Sequence, residues 1–309
     1  MSIVAGVTSE FRKGTDNDIP QIALESAVKL LKDTGFPRNL LDAVIVSSCS
    51  SDQYLSSIIS EMLGVTPKIS HRIDNLCNSG TNAIISAFSY ISSGLCDSAL
   101  IIGVEKSNTV GKVLSTDLSR GQFTLPIFWG SIFKKIHMKR YGSTEEQICQ
   151  IPVNNYLKAK DNKNAFNRHK SVTLEQVLSS RVLVEPLKLL ECCSICEGSS
   201  SILLIAEEKL GFFKSRVISK IRNSELIPVL IKGIGQQTNS ASFSNTVTDI
   251  FSKGSARVAA RQAYTMARIS PKDVDTAEIH DAFSILEIIG YEDLGFDNKG
   301  EGGKIVYQD

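Results

Sequence analysis

The residues best able to do chemistry lie in Arg72-Ile73-Asp74-Asn75-Leu76-Cys77-Asn78-Ser79-Gly80-Thr81-Asn82-Ala83-Ile84. Cys77 stands between an extended run and a segment of small residues. That segment continues with helical spacing through Ile85, Ala87, Phe88 and Ile91, and Gly94 can close it. Residues 98–104 then read as a buried strand. The unit is strand, cysteine, helix, strand, with Cys77 at the amino end of the helix. Unpaired N–H groups and the helix dipole favour an anion there, so a thiolate should form more readily than in a free cysteine. Ser79, Gly80 and Ala83 have little bulk, so a substrate or another backbone could approach the first turn closely. The spacing therefore suits a nucleophile. It equally suits a small cysteine packed in a tight helix, and position alone does not separate the two.

His280 is the second candidate. It follows residues 276–279, which read as a strand, and Asp281 could cap a helix over 282–291. A histidine at a strand end can reach into a crevice at the carboxyl ends of the strands. A satisfied, half-buried histidine is the competing reading. His71, His137 and His169 lack comparable company and read as surface or packing residues. Cys193 and Cys196 have C-x-x-C spacing beside Cys192, but no second pair or nearby histidine pair completes a zinc set, so the segment reads as structural. Gly233 and Gly235 lack the third glycine of a dinucleotide turn and are not assigned to one.

The elements that must position these residues alternate. Strands are expected over 3–7, 41–47 and 200–206, and helices over 19–34 and 56–63, the first closed by Gly35 and Pro37. The order argues for a layered α/β fold with a largely parallel sheet. Residues 116–196 change texture, with an apolar aromatic run at 123–130 and short helical pieces over 145–156 and 174–179, which fits an inserted domain. Beyond it, residues 217–235 lead into a second half, where a helix, Pro271, Asp275 and a strand to Ile279 echo the helix, Pro37, Asp42 and strand of the first. At 309 residues, 42% hydrophobic and 22% charged, the chain can bury a large core. A net charge of +1 argues against a nucleic-acid surface. No apolar run is long enough to cross a bilayer, and the first residues lack the order of a signal peptide. Seven irregularly spaced cysteines suggest free thiols and a cytoplasmic location.

Three ordered stretches carry a resemblance. Asn75-Leu76-Cys77-Asn78-Ser79-Gly80-Thr81-Asn82-Ala83 resembles the nucleophile segment of thiolases. His137-Met138-Lys139-Arg140-Tyr141-Gly142-Ser143-Thr144-Glu145-Glu146 resembles the start of the thiolase loop domain, where Met138 could line an acyl pocket or belong to the core. Glu278-Ile279-His280-Asp281-Ala282-Phe283, running on to Phe296, is similar to the branch of sterol-carrier-type and archaeal acetyl-CoA C-acetyltransferases, which has His-Asp where most thiolases have Asn-Glu.

The resemblance implies a thiolase-like α/β fold of two similar layered halves with an inserted loop domain. The halves would be 1–118, with a returning strand near 197–215, and 216–309, with the loop domain at 119–196. It implies an acyl-CoA C-acyltransferase that makes or cleaves a 3-oxoacyl-CoA, with Cys77 carrying the acyl group and His280 helping to hold an oxyanion. Coenzyme A thioesters would be substrates, and no metal or bound cofactor is implied. A homo-oligomer is expected, as is a possible complex with a hydroxymethylglutaryl-CoA synthase and a small OB-fold protein. The chain departs from the family in one respect: neither the Gly-His-Pro motif nor a second cysteine follows Phe296. An incomplete C-terminal half is therefore expected, and residues 1–309 alone are not expected to complete a catalytic cycle. A non-catalytic assembly subunit of the same fold is the alternative, and a ketoacyl-synthase-type condensing enzyme a weaker one.

Overall fold

A computed structural model describes residues 1–106, 125–217, 228–238 and 254–307. The first two residues of the expected aromatic run, Phe123 and Thr124, lie outside the described residues, as does most of the expected entry to the second half at 217–235. In chain order the elements are β1 (Ser2–Thr8), α1 (Ile19–Thr34), β2 (Ala43–Ser47), α2 (Leu55–Met62), β3 (Ile69–Ile73), α3 (Ser79–Ser92) and β4 (Ser98–Glu105). There follow α4 (Pro126–Tyr141), α5 (Glu145–Ala159), α6 (Leu174–Leu178), β5 (Val182–Val184), β6 (Leu187–Lys188) and β7 (Gly198–Ile205). The last are α7 (Leu210–Val217), β8 (Val229–Leu230), α8 (Gly254–Ala267) and α9 (Ser284–Asp293). The chain divides into two compact units, Met1–Gly111 with Ile195–Ile231, and Lys112–Ser194 with Lys232–Asp309.

The first unit is built on a six-stranded sheet of order β3-β2-β4-β7-β1-β8. β2 runs parallel to both β3 and β4, whereas β7 returns antiparallel between β4 and β1. Every residue of β2 is buried, as a central strand covered on both faces must be. Alternation sorts its side chains: Val44 and Val46 join the core under α1 and α2, while Ala43 and Ile45 join the core under α3. α1 begins at a capping box, in which Asp18 Oδ1 accepts from the Gln21 N–H and the Gln21 side chain accepts from the Asp18 N–H. It ends at Gly35, whose φ of 62° lies in the left-handed region. Two buried serine contacts fasten α1 to β7: Ser199 Oγ donates to the Ile22 carbonyl at 2.6 Å, and Ser26 Oγ lies 2.7 Å from Ser201 Oγ.

The second unit is mainly helical, and its core joins Ile148 and Ile151 of α5 to Ile285, Ile288 and Ile289 of α9. Met138 packs against this core. A fully buried cation organises the α4–α5 end: Lys134 Nζ donates to Glu191 Oε2 at 2.8 Å, to the Pro186 carbonyl at 3.0 Å and to Glu145 Oε1 at 3.3 Å. His137, also on α4, is buried between Ser143 Oγ (2.9 Å from Nδ1) and Glu292 Oε1 (3.1 Å from Nε2). Lys299 pairs with the other Glu292 oxygen at 3.0 Å. Burial pushes the Glu292 carboxyl up, but its bonds and charges from His137 and Lys299 outweigh that and hold it below the usual carboxylate range.

Residues 276–279 are not a strand, which corrects the sequence expectation. A strand needs a neighbour, and the only sheet among the described residues of this unit is the β5–β6 pair. The helix beyond them also begins later than expected. Its N-cap is Phe283, without a side-chain bond, because the Asp281 carboxylate is turned to Asn155 instead. Gly233 and Gly235 show why those positions are glycine: a Cβ at either would lie within 2.2 Å or 1.8 Å of the Ala263 and Ala259 carbonyl oxygens of α8. Lys134→Ala would leave Glu191 buried without its cation, and is expected to destabilise the unit by roughly 3–5 kcal/mol. Urea unfolding followed by fluorescence of Trp129, the single tryptophan, measures this. An unchanged midpoint would show that the ion pair contributes nothing.

Candidate active site

Because β2, β3 and β4 are parallel, their carboxyl ends meet at one end of the sheet, with Ser47 in register with Ile73 and Gly103. The Ser48 N–H reaches across to the Ile73 carbonyl at 3.1 Å. The chain leaves β3 here and turns tightly into α3. Ser79 holds the turn: its Oγ accepts from the Asn75 N–H at 2.7 Å and donates to the Leu76 carbonyl at 2.6 Å. Asp74 Oδ1 accepts from the Leu76 N–H at 3.3 Å. Leu76 has a φ of 51°, a left-handed conformation uncommon for a residue with a branched side chain.

Cys77 is the next residue and is exposed. It lies two positions before α3, and Asn78 is the N-cap without a side-chain capping bond. Asn78 Nδ2 donates instead to Asn82 Oδ1 at 3.1 Å. In the first helical turn the Ser79 N–H donates to the Leu76 carbonyl at 3.0 Å and the Asn82 N–H to the Asn78 carbonyl at 3.0 Å, which leaves the Gly80 and Thr81 N–H groups as the orphan donors of the helix start. Ser79 is buried beneath the turn and Gly80 is exposed beside it, so the outer face of the turn is open.

Sequence reasoning missed the neighbours behind this turn. Cys49 follows β2, and its N–H donates to Glu105 Oε1 at 2.6 Å. Burial, then the Glu105 and Asp74 carboxylates, push the Cys49 thiol up to about 12. A signal for them exists: in parallel strands the residues at and just past each end share one layer, and Cys49 and Asp74 lie just past β2 and β3 while Glu105 is the last residue of β4.

His280 is in the second unit and is exposed. The residues after it are anchored. Asn155 Nδ2 on α5 donates to Asp281 Oδ2 at 2.7 Å and to Glu287 Oε2 at 3.0 Å, and the Tyr291 hydroxyl donates to Glu287. Burial and that carboxylate push the Tyr291 phenol up. Ala282 accepts from the Cys193 N–H at 3.0 Å, and Cys192 bridges to Phe283. Part of the cysteine-rich segment therefore braces the backbone after His280. Among the described residues no group of three or more His, Cys, Asp or Glu is placed to hold a metal ion, and no helix is long and apolar enough to cross a membrane.

Residues 1–208 match the thiolase N-terminal domain, and residues 235–309 match the thiolase C-terminal domain-like family. The chain belongs to the thiolase family. It is 31% identical over 319 residues to an acetyl-CoA acetyltransferase of Methanocaldococcus jannaschii, covering 99% of this chain and 79% of that relative. It is 26% identical to sterol carrier protein 2 of Bos taurus, with 97% of this chain matched to 57% of that protein. The solved structure of an "Ltp2-ChsH2(DUF35) aldolase" shares the fold at a TM-score of 0.84 and 22% identity, over 99% of this chain and 79% of that one. The thiolase-like α/β fold expected from the three motifs is thus present, and the relatives include thiolase-type acyltransferases.

Burial sorts the seven cysteines of this thiolase-family chain. It pushes the thiols of Cys49, Cys149 and Cys192 up to about 12 and that of Cys96 up to about 11, and it raises Cys196 as well. Only Cys77 and Cys193 are exposed. Iodoacetamide near neutral pH is expected to label Cys77 first, as followed by peptide mass mapping. Labelling of Cys193 first, with Cys77 inert, would remove the basis for a nucleophile at position 77. Ser79→Ala is expected to cost about 1–3 kcal/mol, because the Asn75 N–H loses its acceptor. The same variant should slow Cys77 labelling relative to Cys193. Unchanged stability and labelling order would show that Ser79 does not hold the turn.

Proposed function

We propose that the chain is a thiolase-type acyl-CoA C-acyltransferase with Cys77 as its nucleophile. What supports this is one placement above all: an exposed cysteine in a serine-braced turn, at the carboxyl end of three parallel strands and just before a helix start. The Cys77 thiolate attacks the carbonyl carbon of an acyl-CoA thioester. A carbon–sulfur bond forms, coenzyme A leaves as its thiolate and takes up a proton, and the acyl group stays on Cys77. The Gly80 and Thr81 N–H groups of α3 are the chain's own donors for the oxyanion of this step. A second acyl-CoA then loses an α-proton, and its carbanion attacks the acyl carbon. The new carbon–carbon bond releases the Cys77 thiolate. His280 takes the enolate-oxyanion role, a reading supported by the His280-Asp281 motif.

The first half-reaction, acylation of Cys77, tests this reading directly. Incubation with acetyl-CoA is expected to add one acetyl group to Cys77, seen by intact and peptide mass, and Cys77→Ser should abolish it. No acetylation of a folded, alkylation-competent protein would overturn the reading. It would favour the alternative, an assembly subunit of the same fold. Support on that side comes from the solved "Ltp2-ChsH2(DUF35) aldolase", whose name joins two components. A homo-oligomer and a complex with hydroxymethylglutaryl-CoA synthase and an OB-fold protein belong to this proposal as its partner expectations.

A further inference from the structure

Asn155 stands on α5 where that helix meets the segment carrying His280. Its Nδ2 donates to Asp281 Oδ2 at 2.7 Å and to Glu287 Oε2 at 3.0 Å. Both Nδ2 hydrogens are therefore committed, one to each of two carboxylates. Glu287 lies on α9 and takes a further bond from the Tyr291 hydroxyl, one turn along. Asp281 lies before α9 and adjoins His280 in the chain. The Tyr291 phenol feels both charges: after burial, Glu287 and then Asp281 push it up. The two carboxylates are thus close neighbours, and Asn155 is a neutral donor that both share.

This donor fixes a direction without adding a charge. Asp281 Oδ2 is aimed at α5, while the N-cap of α9, Phe283, has no side-chain bond. A helix start forgoes a nearby capping carboxylate so that this carboxylate can face Asn155. Direction matters because a carboxylate within roughly 4–6 Å of an imidazole favours its protonated form and draws its N–H. The other charged side chains lining the cavity beside this segment are Lys158 of α5 and Lys272, Asp275 and Glu278.

From this geometry we infer that Asn155 is a positioning residue for His280. It orients the Asp281 carboxylate toward α5 and thereby sets the direction and the charge of the neighbouring imidazole. The inference rests on the reading of His280 as the enolate-oxyanion residue, and it adds a side chain of α5 to that residue's surroundings.

The chain has four histidines, His71, His137, His169 and His280. Their ring protons can be followed by NMR against pH in the full chain, with His280→Gln assigning the signal. In Asn155→Ala the Asp281 carboxylate is released, and the His280 midpoint is expected to rise by about one pH unit. The sign is upward because a nearer negative charge favours the protonated ring. Asn155→Leu keeps the volume, removes the donor and should act alike. Adding Asp281→Asn to either variant removes that charge and should cancel the rise. Glu287→Gln alone keeps the bond between Asn155 and Asp281, and should leave the midpoint nearly unmoved. Circular dichroism matching the parent confirms the fold of each variant. An unmoved His280 midpoint in both folded Asn155 variants would overturn the proposal, as would a rise that survives Asp281→Asn. A purely structural Asn155 would lower stability and move no histidine. Acetylation of Cys77 is a separate readout, and its failure would overturn the acyl-transfer reading without changing a histidine midpoint, so the two failures are told apart.

Discussion

Everything in the first unit depends on the antiparallel return of β7. It pairs with β4 from Ser98 opposite Ile205 to Glu105 opposite Gly198, and on its other edge with β1 from Ser2 to Thr8. Without it, β1 has no link to the parallel strands β3, β2 and β4. The strand that closes the sheet is separated from β4 by a long stretch of chain, which belongs largely to the second unit. Its serines, Ser199 and Ser201, also reach into α1. A segment rich in serine can occupy the sheet centre because these hydroxyls have partners there, so burial does not strand a polar group.

That constraint sets the candidate site. Once β7 fixes β4, and β4 and β3 flank β2, the carboxyl ends of three strands are level. The turn carrying Cys77 follows β3 at that end of the sheet. Its own bonds are local, through Ser79 and Asp74, and the layer behind it is made by Cys49 and Glu105. At this end of the sheet Cys49, past β2, has its thiol pushed up by burial, while Cys77 in the turn after β3 is exposed, a difference of position and not of residue type.

Much of this is legible in the sequence where the signal is local. The bounds of α1 follow from Asp18, Pro20 and Gly35, each acting within one turn. β2 is visible as an apolar run, and the Cys77 turn as a cysteine before small residues. What is not legible depends on partners far along the chain. Lys134 and Glu191 are 57 residues apart, and His137 and Glu292 are 155 apart. Nothing in the spacing of α4 marks Lys134 as a core residue. The expected strand at 276–279 fails for the related reason that strand propensity is a property of a pair of chains. Asp281 reads as a cap because it precedes a helix, but Asn155 on α5 competes for it and wins.

Leu76 carries a consequence of a different kind. Its left-handed backbone is a cost borne by one residue so that its neighbour can face outward. Glycine at this position would adopt the same angles without penalty, yet it would also free the turn to take others. A screen that rewards heat resistance alone reads only the first effect, while one that rewards reactivity at the adjoining sulfur reads the second. The two selections would pull this single position in opposite directions, which makes residue 76 the place where robustness and performance of the protein are traded.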